Sequence, residues 1–432
     1  MIIVIISPIH LHHVGEILQQ QAAVRRIRKM WPSATIYIVT STPERFKKYF
    51  SDVICISKVT QERWVKDNNL IAPILGLIPA NWIPMWIVSI QRFISVKTPL
   101  LAKLIIKWQY KIRRYSFHEL DLYVQALMNA DLVMVTGGIL FTDLWARYSL
   151  HVLNALEYSI SNNIPTVICS QAFVTLENPS VAQKAKKTLP KVDLISIREK
   201  PNSIFNLRDF GVSEEKISIV GDDAIEIASA FRRIHRDAII GVQIRASDKK
   251  GHTNINAEIL QKIKVPIQET AKRIRAKLMP LPISSWKDDL SRISIRQLLS
   301  SFENIVNEEF ELQSPEEFLK RVSRCKIVIS GSYQLSMIAL SQGIPTICLT
   351  NSDFYDHKFN GLAEHFRAGC CIISLKNDNF DKLIRDSIFE SWHRSSELYH
   401  KLLCSAQVQI NSNIVFYKKV FDMVNCKKNI NK

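Results

Sequence analysis

Apolar and polar positions follow two rhythms that succeed one another along the chain. Residues 1–7 form a short β-branched run, a loop carries His10, His12, His13, Val14 and Gly15, residues 16–30 space their apolar side chains as a helix does, and 35–40 is a second β-branched run. Strand, loop, helix, strand is the opening of a doubly wound sheet. Further strand-like runs at 53–57, 132–136, 166–170, 194–198 and 217–220 alternate with helix-compatible segments. That alternation predicts a parallel sheet covered on both faces.

The series restarts at Ala238, with a strand at 239–245, a long charged helix over 258–277, and strands near Leu281 and at 326–330 and 346–350. The expected fold class is therefore α/β, two Rossmann-like domains with parallel sheets. The first covers 1–230, the second 238–378, and the boundary lies within 231–237. Amphipathic helices over 379–425 are expected to pack back on the first domain, and the tail at 426–432 to fray. A chain of 432 residues exceeds what one hydrophobic core usually organises, which fits this division.

One segment, an insertion at about 70–115, breaks the alternation. Residues 70–91 carry no charge and include Trp82 and Trp86; the stretch that follows holds Arg92, Lys97, Lys103, Lys107, Lys111, Arg113 and Arg114. The apolar part is long enough to span a bilayer, but Pro73, Pro79 and Pro84 argue against an unbroken helix. Two readings stand side by side. In one, the aromatic and aliphatic side chains dip into a membrane while the basic residues meet anionic lipid; in the other, the insertion packs on the first domain and its charges are solvated.

Composition narrows the chemistry. Apolar residues make up 47% and charged residues 22%, values of a globular protein with a full core. The formal charge of +17 points to anionic partners. Nucleic acid is not expected among them, because the Lys and Arg are dispersed and no RNA-binding aromatics, zinc-finger spacing or basic zipper accompany them. The eight cysteines form no Cys-x-x-Cys pair and sit mostly in apolar runs, as buried thiols of a reducing compartment do. The apolar start lacks the basic flank of a signal peptide. A cytoplasmic protein is the expectation, placed peripherally at the inner membrane face under the first reading of the insertion.

Candidate chemistry concentrates in 314–366. Ser314-Pro315-Glu316-Glu317 is a helix start, a strand follows, and Gly331-Ser332-Tyr333-Gln334 then makes a small-residue turn into a second helix. Such a turn leaves backbone N–H groups free to hold an anion, although any strand-to-helix corner of a Rossmann domain looks the same. Gly137-Gly138 forms a comparable turn after the strand at 132–136. His10, His12 and His13 lack a second ligand cluster and read as a solvated loop; no metal site and no cofactor are expected. Asp222 and Asp223 follow a strand, where they serve equally well as sugar ligands or as turn formers.

The run SGSYQLSMIALSQGIPTICLTNSDFYDHKFNGLAEHF resembles the C-terminal signature of the polysaccharide pyruvyl transferase family. Other pieces agree in order: His13-Val14-Gly15-Glu16, Ala130 to Gly138 with Asp143, Val192 to Glu199, Phe210-Gly211-Val212 and Val220-Gly221-Asp222-Asp223. The resemblance implies a GT-B-like enzyme with its active site in the interdomain cleft. It also implies transfer of the enolpyruvyl carbons of phosphoenolpyruvate to two hydroxyls of one sugar, on a glycan or lipid-linked saccharide, with a cyclic ketal formed and phosphate released. A phosphate and a carboxylate must then be gripped, for which Arg198 and Arg245 are candidates with Gly331, Ser332, Gly137 and Gly138. Tyr333, Gln334, His357 and Lys358 are candidates for catalysis, and Glu16, Asp143 and Asp222 for the acceptor.

Gln334 stands where the family carries its acid histidine, and an amide donates no titrating proton near neutral pH. Tyr333, His357 or His365 is then the replacement, or the chain binds without turnover as a catalytically weak glycan-binding member. A nucleotide-sugar glycosyltransferase on the same architecture is the other alternative. The oligomeric state is not written in the sequence.

Overall fold

The computed structural model describes residues 1–7, 11–40, 42–57, 94, 98, 100–104, 107, 118–199, 202–244, 255–284, 290–306, 308 and 314–430. Most of the insertion at about 70–115, and Arg245 with it, lies outside the described residues.

The first half runs β1 (Ile2–Ile6), α1 (Val14–Met30), β2 (Thr35–Thr40), α2 (Pro43–Lys47), β3 (Ile54–Ser57), α3 (His118–Met128), β4 (Leu132–Thr136), α4 (Ala146–Ser161), β5 (Thr166–Gln171), α5 (Pro179–Thr188), β6 (Leu194–Ile197), α6 (Asn202–Asp209), β7 (Ile217–Ile219) and α7 (Ile225–Ser229). Its seven strands are all parallel, in the order β3-β2-β1-β4-β5-β6-β7. Ile3, Val4 and Ile5 are wholly buried, as a strand covered on both faces requires.

The second half runs β8 (Ile239–Gln243), α8 (Ala257–Arg273), β9 (Lys277–Pro280), α9 (Leu290–Leu299), α10 (Pro315–Arg324), β10 (Ile327–Ser330), α11 (Tyr333–Ser341), β11 (Thr346–Thr350), α12 (Asp353–Phe366), β12 (Cys370–Ser374) and α13 (Phe380–Ile430). Its five parallel strands lie in the order β12-β11-β10-β8-β9. Ser314 caps α10 by accepting from the Glu317 N–H at 3.1 Å, the helix start read from Ser-Pro-Glu-Glu.

Three expectations change. The charged helix stops at Arg273 rather than Lys277, because Lys277 already opens β9 beside Ile239. The C-terminal stretch is a single helix, not several, and it is still helical from Cys426 to Ile430, where Lys427 pairs with Asp193 at 2.7 Å. All eight cysteines are free, but Cys404 and Cys426 are exposed on that helix rather than buried.

The long helix α13 joins the two halves. Ile384, Ile388 and Trp392 belong to the core around β8 and α8, while Leu398, Leu402 and Ala406 pack with Val14 and Leu18 of α1. Phe416, Tyr417, Val420 and Val424 then join Ile3, Ile5 and Ile36 of the first sheet. One helix thus buries an apolar face against three successive cores. Among the described residues no helix is long and apolar enough to cross a membrane. Lys103 and Lys107, in the basic stretch, both pair with Asp121, at 2.8 and 3.1 Å.

Candidate active site between the two sheets

In an open parallel sheet, ligands bind beyond the carboxyl ends of the strands at the point where the strand order reverses. In the first sheet that point lies between β1 and β4, whose ends are level, Ile6 opposite Val135. In the second it lies between β8 and β10, with Gln243 opposite Ser330. The corners singled out in the sequence, Gly137-Gly138 after β4 and Gly331-Ser332 after β10, therefore occupy the reversal points of their respective sheets.

Each corner is fixed by its neighbour strand. Gly137 and Gly138 adopt φ of 74° and 78°, a conformation that costs other residues steric strain. The Gln171 side chain, at the end of β5, donates to the Gly137 carbonyl at 2.6 Å and accepts from the Leu140 N–H at 3.2 Å. In the second corner the Gly331 N–H donates to the Gln243 carbonyl at 3.0 Å, and the Ser330 hydroxyl accepts from the Ser332 N–H at 2.9 Å. Ser332 stands at the N-cap of α11 without capping it through its side chain, so the first-turn N–H groups of Tyr333 and Gln334 have no cap from it.

Helix α1 brings the corners together. Its first residue, Val14, donates to the Ile283 carbonyl beyond β9 at 3.1 Å, and His13 bridges Ser284. At Gly15 an added Cβ would lie 2.5 Å from Cδ of Gln334, so the absence of a side chain there lets Gln334 lie on the helix. One turn later Gln20 exchanges hydrogen bonds with Thr136, the residue before Gly137: its amide reaches the Thr136 carbonyl at 3.4 Å and its oxygen accepts from the Thr136 hydroxyl at 2.9 Å. Gln19 donates to Asp222 at 2.6 Å.

A buried ion network completes the junction. Arg198, at the end of β6 and 2% exposed, donates from Nε to Glu199 at 3.1 Å and from Nη1 to Asp222 at 3.0 Å. Its guanidinium stacks on the Tyr333 ring, 4.8 Å from the centroid. Burial works against that positive charge, but Glu199, Tyr333 and Asp222 outweigh it and hold the guanidinium pKa above its ordinary value. Burial, reinforced by Glu199 and Asp222, pushes the Tyr333 phenol well above its ordinary value, Arg198 opposing. Lys358 of α12 sits over the same ring at 5.0 Å and over Phe354 and Tyr355 at 5.2 and 5.6 Å.

The candidate residues now sort. Gly331, Ser332, Tyr333, Gln334 and Lys358 form one cluster at the second corner, and Glu16 follows Gly15 in the first turn of α1 beside Gln334. His357 is exposed on α12, next to Lys358 in sequence and close enough to Asp353 to influence its charge. Arg198 is committed to two carboxylates and a ring, so it holds the junction rather than gripping a donor directly. Asp222 is likewise withdrawn from an acceptor: it is 1% exposed and receives Arg198, Gln19 and the Ala224 N–H. Asp223 binds Arg26 and accepts from Tyr417 of α13 at 3.4 Å, a packing role. Asp143 uses Oδ2 to receive the Glu177 and Asn178 N–H groups at 2.6 and 3.2 Å.

Sequence reasoning missed Gln19, Gln20 and Glu199 as members of the site. Gln19 lies one turn after Gly15, which signals a shared helix face; nothing local signals its partner. His12 pairs with Arg45 at 2.9 Å, and among the described residues no group of three or more His, Cys, Asp or Glu is placed to hold a metal.

Two parallel Rossmann-like sheets, joined by a returning C-terminal helix, define a GT-B-like fold. Solved structures agree: a putative UDP-N-acetylglucosamine 2-epimerase from Listeria monocytogenes superposes with a TM-score of 0.55 at 12% identity over 94% of each chain. The UDP-GlcNAc 2-epimerase of Neisseria meningitidis, bound to UDP-GlcNAc, does so with 0.54 at 14% identity over 98% of this chain and 99% of its own. That of Methanocaldococcus jannaschii gives 0.54 at 13% identity, covering 91% and 93%. At such identities the likeness carries the fold alone. No curated protein matches the sequence. The family model for polysaccharide pyruvyl transferase matches residues 13–353, and the chain belongs to that family, an enzyme of the polysaccharide pyruvyl transferase type.

Proposed function

We propose that the chain moves the pyruvyl group of phosphoenolpyruvate onto two hydroxyls of one sugar in a surface polysaccharide or its precursor, forming a cyclic ketal. The observation that carries this reading is the meeting of the two strand reversals, with Gln334 of one corner lying on Gly15 beside the other. The donor is small and carries two anionic groups, a phosphate and a carboxylate, and the second corner offers what it needs: the N–H groups opening α11 and the Lys358 ammonium. Arg198 acts at one remove by fixing Tyr333.

The chemistry places one demand on a titratable group. C3 of the donor takes a proton from an acid, which makes C2 electrophilic; one sugar hydroxyl adds to C2 and gives its proton to the conjugate base of that acid; phosphate then leaves with the C–O electron pair, and the second hydroxyl adds and loses its proton to the released phosphate. Gln334 cannot supply the first proton, and the buried Tyr333 phenol holds its proton too tightly to be a ready acid. His357, exposed and one position before Lys358 in the chain, is the side chain we assign to that transfer. Gln334 contributes a fixed amide to the donor pocket.

The test is incubation with phosphoenolpyruvate labelled in its carbons and the host's own surface glycan or lipid-linked repeat. Phosphate release with label in the sugar is expected. A chain stabilised by a nucleotide sugar but not by phosphoenolpyruvate would overturn the reading in favour of glycosyl transfer. Label transfer that appears only after Gln334→His would mark a binding protein.

A further inference from the structure

Strand β5 carries one residue more than its neighbour β6 near their carboxyl ends. Ile168 lies opposite Ile195 and Gln171 opposite Ile197, so an extra residue sits at 169–170. There Ser170, wholly buried, holds φ of 49°, a left-handed conformation that favours glycine, and its N–H donates to the Ser196 hydroxyl at 2.9 Å. The bulge decides which way Gln171 points. Val167 and Cys169 belong to the core that includes Ile17 and Val24 of α1, whereas Ile168 belongs to the opposite core with Leu140 and Phe141. By plain alternation residue 171 would share the face of Val167 and Cys169. The extra residue turns it to the face of Ile168, where its side chain donates to the Gly137 carbonyl at 2.6 Å and accepts from the Leu140 N–H at 3.2 Å. Backbone strain at a buried residue that is not glycine persists only where the surroundings hold it, and it gathers at functional sites.

We propose that Gln171 is a positioning residue for the donor, aimed by the Ser170 bulge: it sets the Gly137-Gly138 corner in the conformation that receives phosphoenolpyruvate. Gln171 is wholly buried, so it acts through the corner and not by contact. A turn with two glycines at φ of 74° and 78° has more conformations to choose from than any other, and something outside it must choose. One amide does so by supplying a donor and an acceptor together, one to each end of the turn, and the Ala172 N–H adds a tie to the Gly138 carbonyl at 3.4 Å. A corner held before the ligand arrives loses less entropy on binding. The inference rests on the donor reading proposed above.

Gln171→Met fills similar space without the N–H donor. It should raise KM for phosphoenolpyruvate about tenfold with kcat changed by less than about twofold, the pattern of lost uniform binding. Amide exchange of the free variant should quicken in 137–141 and keep the wild-type rate in 331–336. In Gln171→Glu the ionised carboxylate accepts but does not donate, so its KM should exceed that of wild type most above neutrality. The excess should shrink as the pH falls and the protonated acid regains a hydrogen for the Gly137 carbonyl, a pH dependence that packing alone would not produce. Ser196→Ala removes the acceptor of the Ser170 N–H and should shift KM and exchange the same way by less, which keeps the test open if Gln171→Met folds poorly. Wild-type KM in Gln171→Met and Ser196→Ala, a fall in kcat at unchanged KM, or unchanged exchange in 137–141 would each overturn the role. A wild-type chain that neither releases phosphate from phosphoenolpyruvate nor is stabilised by it would defeat the donor reading itself, whereas a normal wild-type response matched by Gln171→Met would defeat this role alone.

Discussion

Replacing Arg198 with Met removes the cation that ties the ends of β6 and β7 to α11. Glu199 and Asp222 lose their buried partner, and Tyr333 loses the guanidinium 4.8 Å from its ring. Breaking a buried pair by deleting one side costs roughly 3–5 kcal/mol. Asp222 keeps Gln19 at 2.6 Å and the Ala224 N–H at 2.9 Å, which places the expected loss at the low end. A loss of about 3 kcal/mol lowers the folded-to-unfolded ratio about a hundredfold. Arg198→Lys keeps the charge without the fork and should lose roughly half as much. Adding Asp222→Asn to Arg198→Met removes an orphaned charge, so the double variant should recover about 1–3 kcal/mol relative to additivity. Urea unfolding followed by tryptophan fluorescence and circular dichroism measures these differences, and the thermal shift by phosphoenolpyruvate should shrink in Arg198→Met because the Tyr333 corner is no longer held. An Arg198→Met variant within about 0.5 kcal/mol of wild type, the range of an ordinary surface change, would refute the network as the interdomain tie.

Gly15→Ala forces Gln334 off α1, since the new Cβ would lie 2.5 Å from Gln334 Cδ; phosphoenolpyruvate turnover should fall, while Gly15→Ala in a Gln334→Ala background should gain the roughly 1 kcal/mol by which Ala exceeds Gly in a helix. Gly221 holds φ of 92° with Gln409 Cβ of α13 3.1 Å from where its own Cβ would be, so Gly221→Ala should destabilise by more than about 1 kcal/mol in the same unfolding assay. The phenols of Tyr333 and Tyr417 are both raised in the folded state, burial being the first cause of each, so their contribution is full below the unfolded value near pH ~10 and is lost as pH rises through the folded values. Stability should therefore fall above about pH 10, and Tyr333→Phe should flatten that fall in an alkaline unfolding series. Lys358→Met should raise KM for phosphoenolpyruvate more than tenfold, the order expected when a buried or half-buried charge-assisted contact is lost, with little change in melting temperature.

The strands were legible because β-branched runs between helix-spaced segments leave few other readings: β2, β4 and β11 begin and end where the pattern placed them. Strand β12 was not, since Cys370-Cys371-Ile372-Ile373-Ser374 is short and lies between two long helices with no alternation to mark it. The two corners were readable from their glycines, but their placement at the strand reversals came from topology, which orders β1 beside β4 and β8 beside β10. Arg198 looked like a ligand-gripping residue because its neighbours in space are invisible in sequence: Asp222 is 24 positions away and Tyr333 lies in the other half of the chain. Gln19 pairs with a residue 203 positions on, and no local rule supplies such a partner. Lys358 was different, because Phe354 four residues earlier puts an aromatic ring on its helix face.

Amide hydrogen exchange with and without phosphoenolpyruvate tests the claim that the two strand reversals bound one donor site. Slower exchange is expected in both 137–141 and 331–336, with α12 around Lys358 slowed alongside, and no comparable effect from a nucleotide sugar. Protection by the donor at only one of the two corners, or at neither, would contradict it.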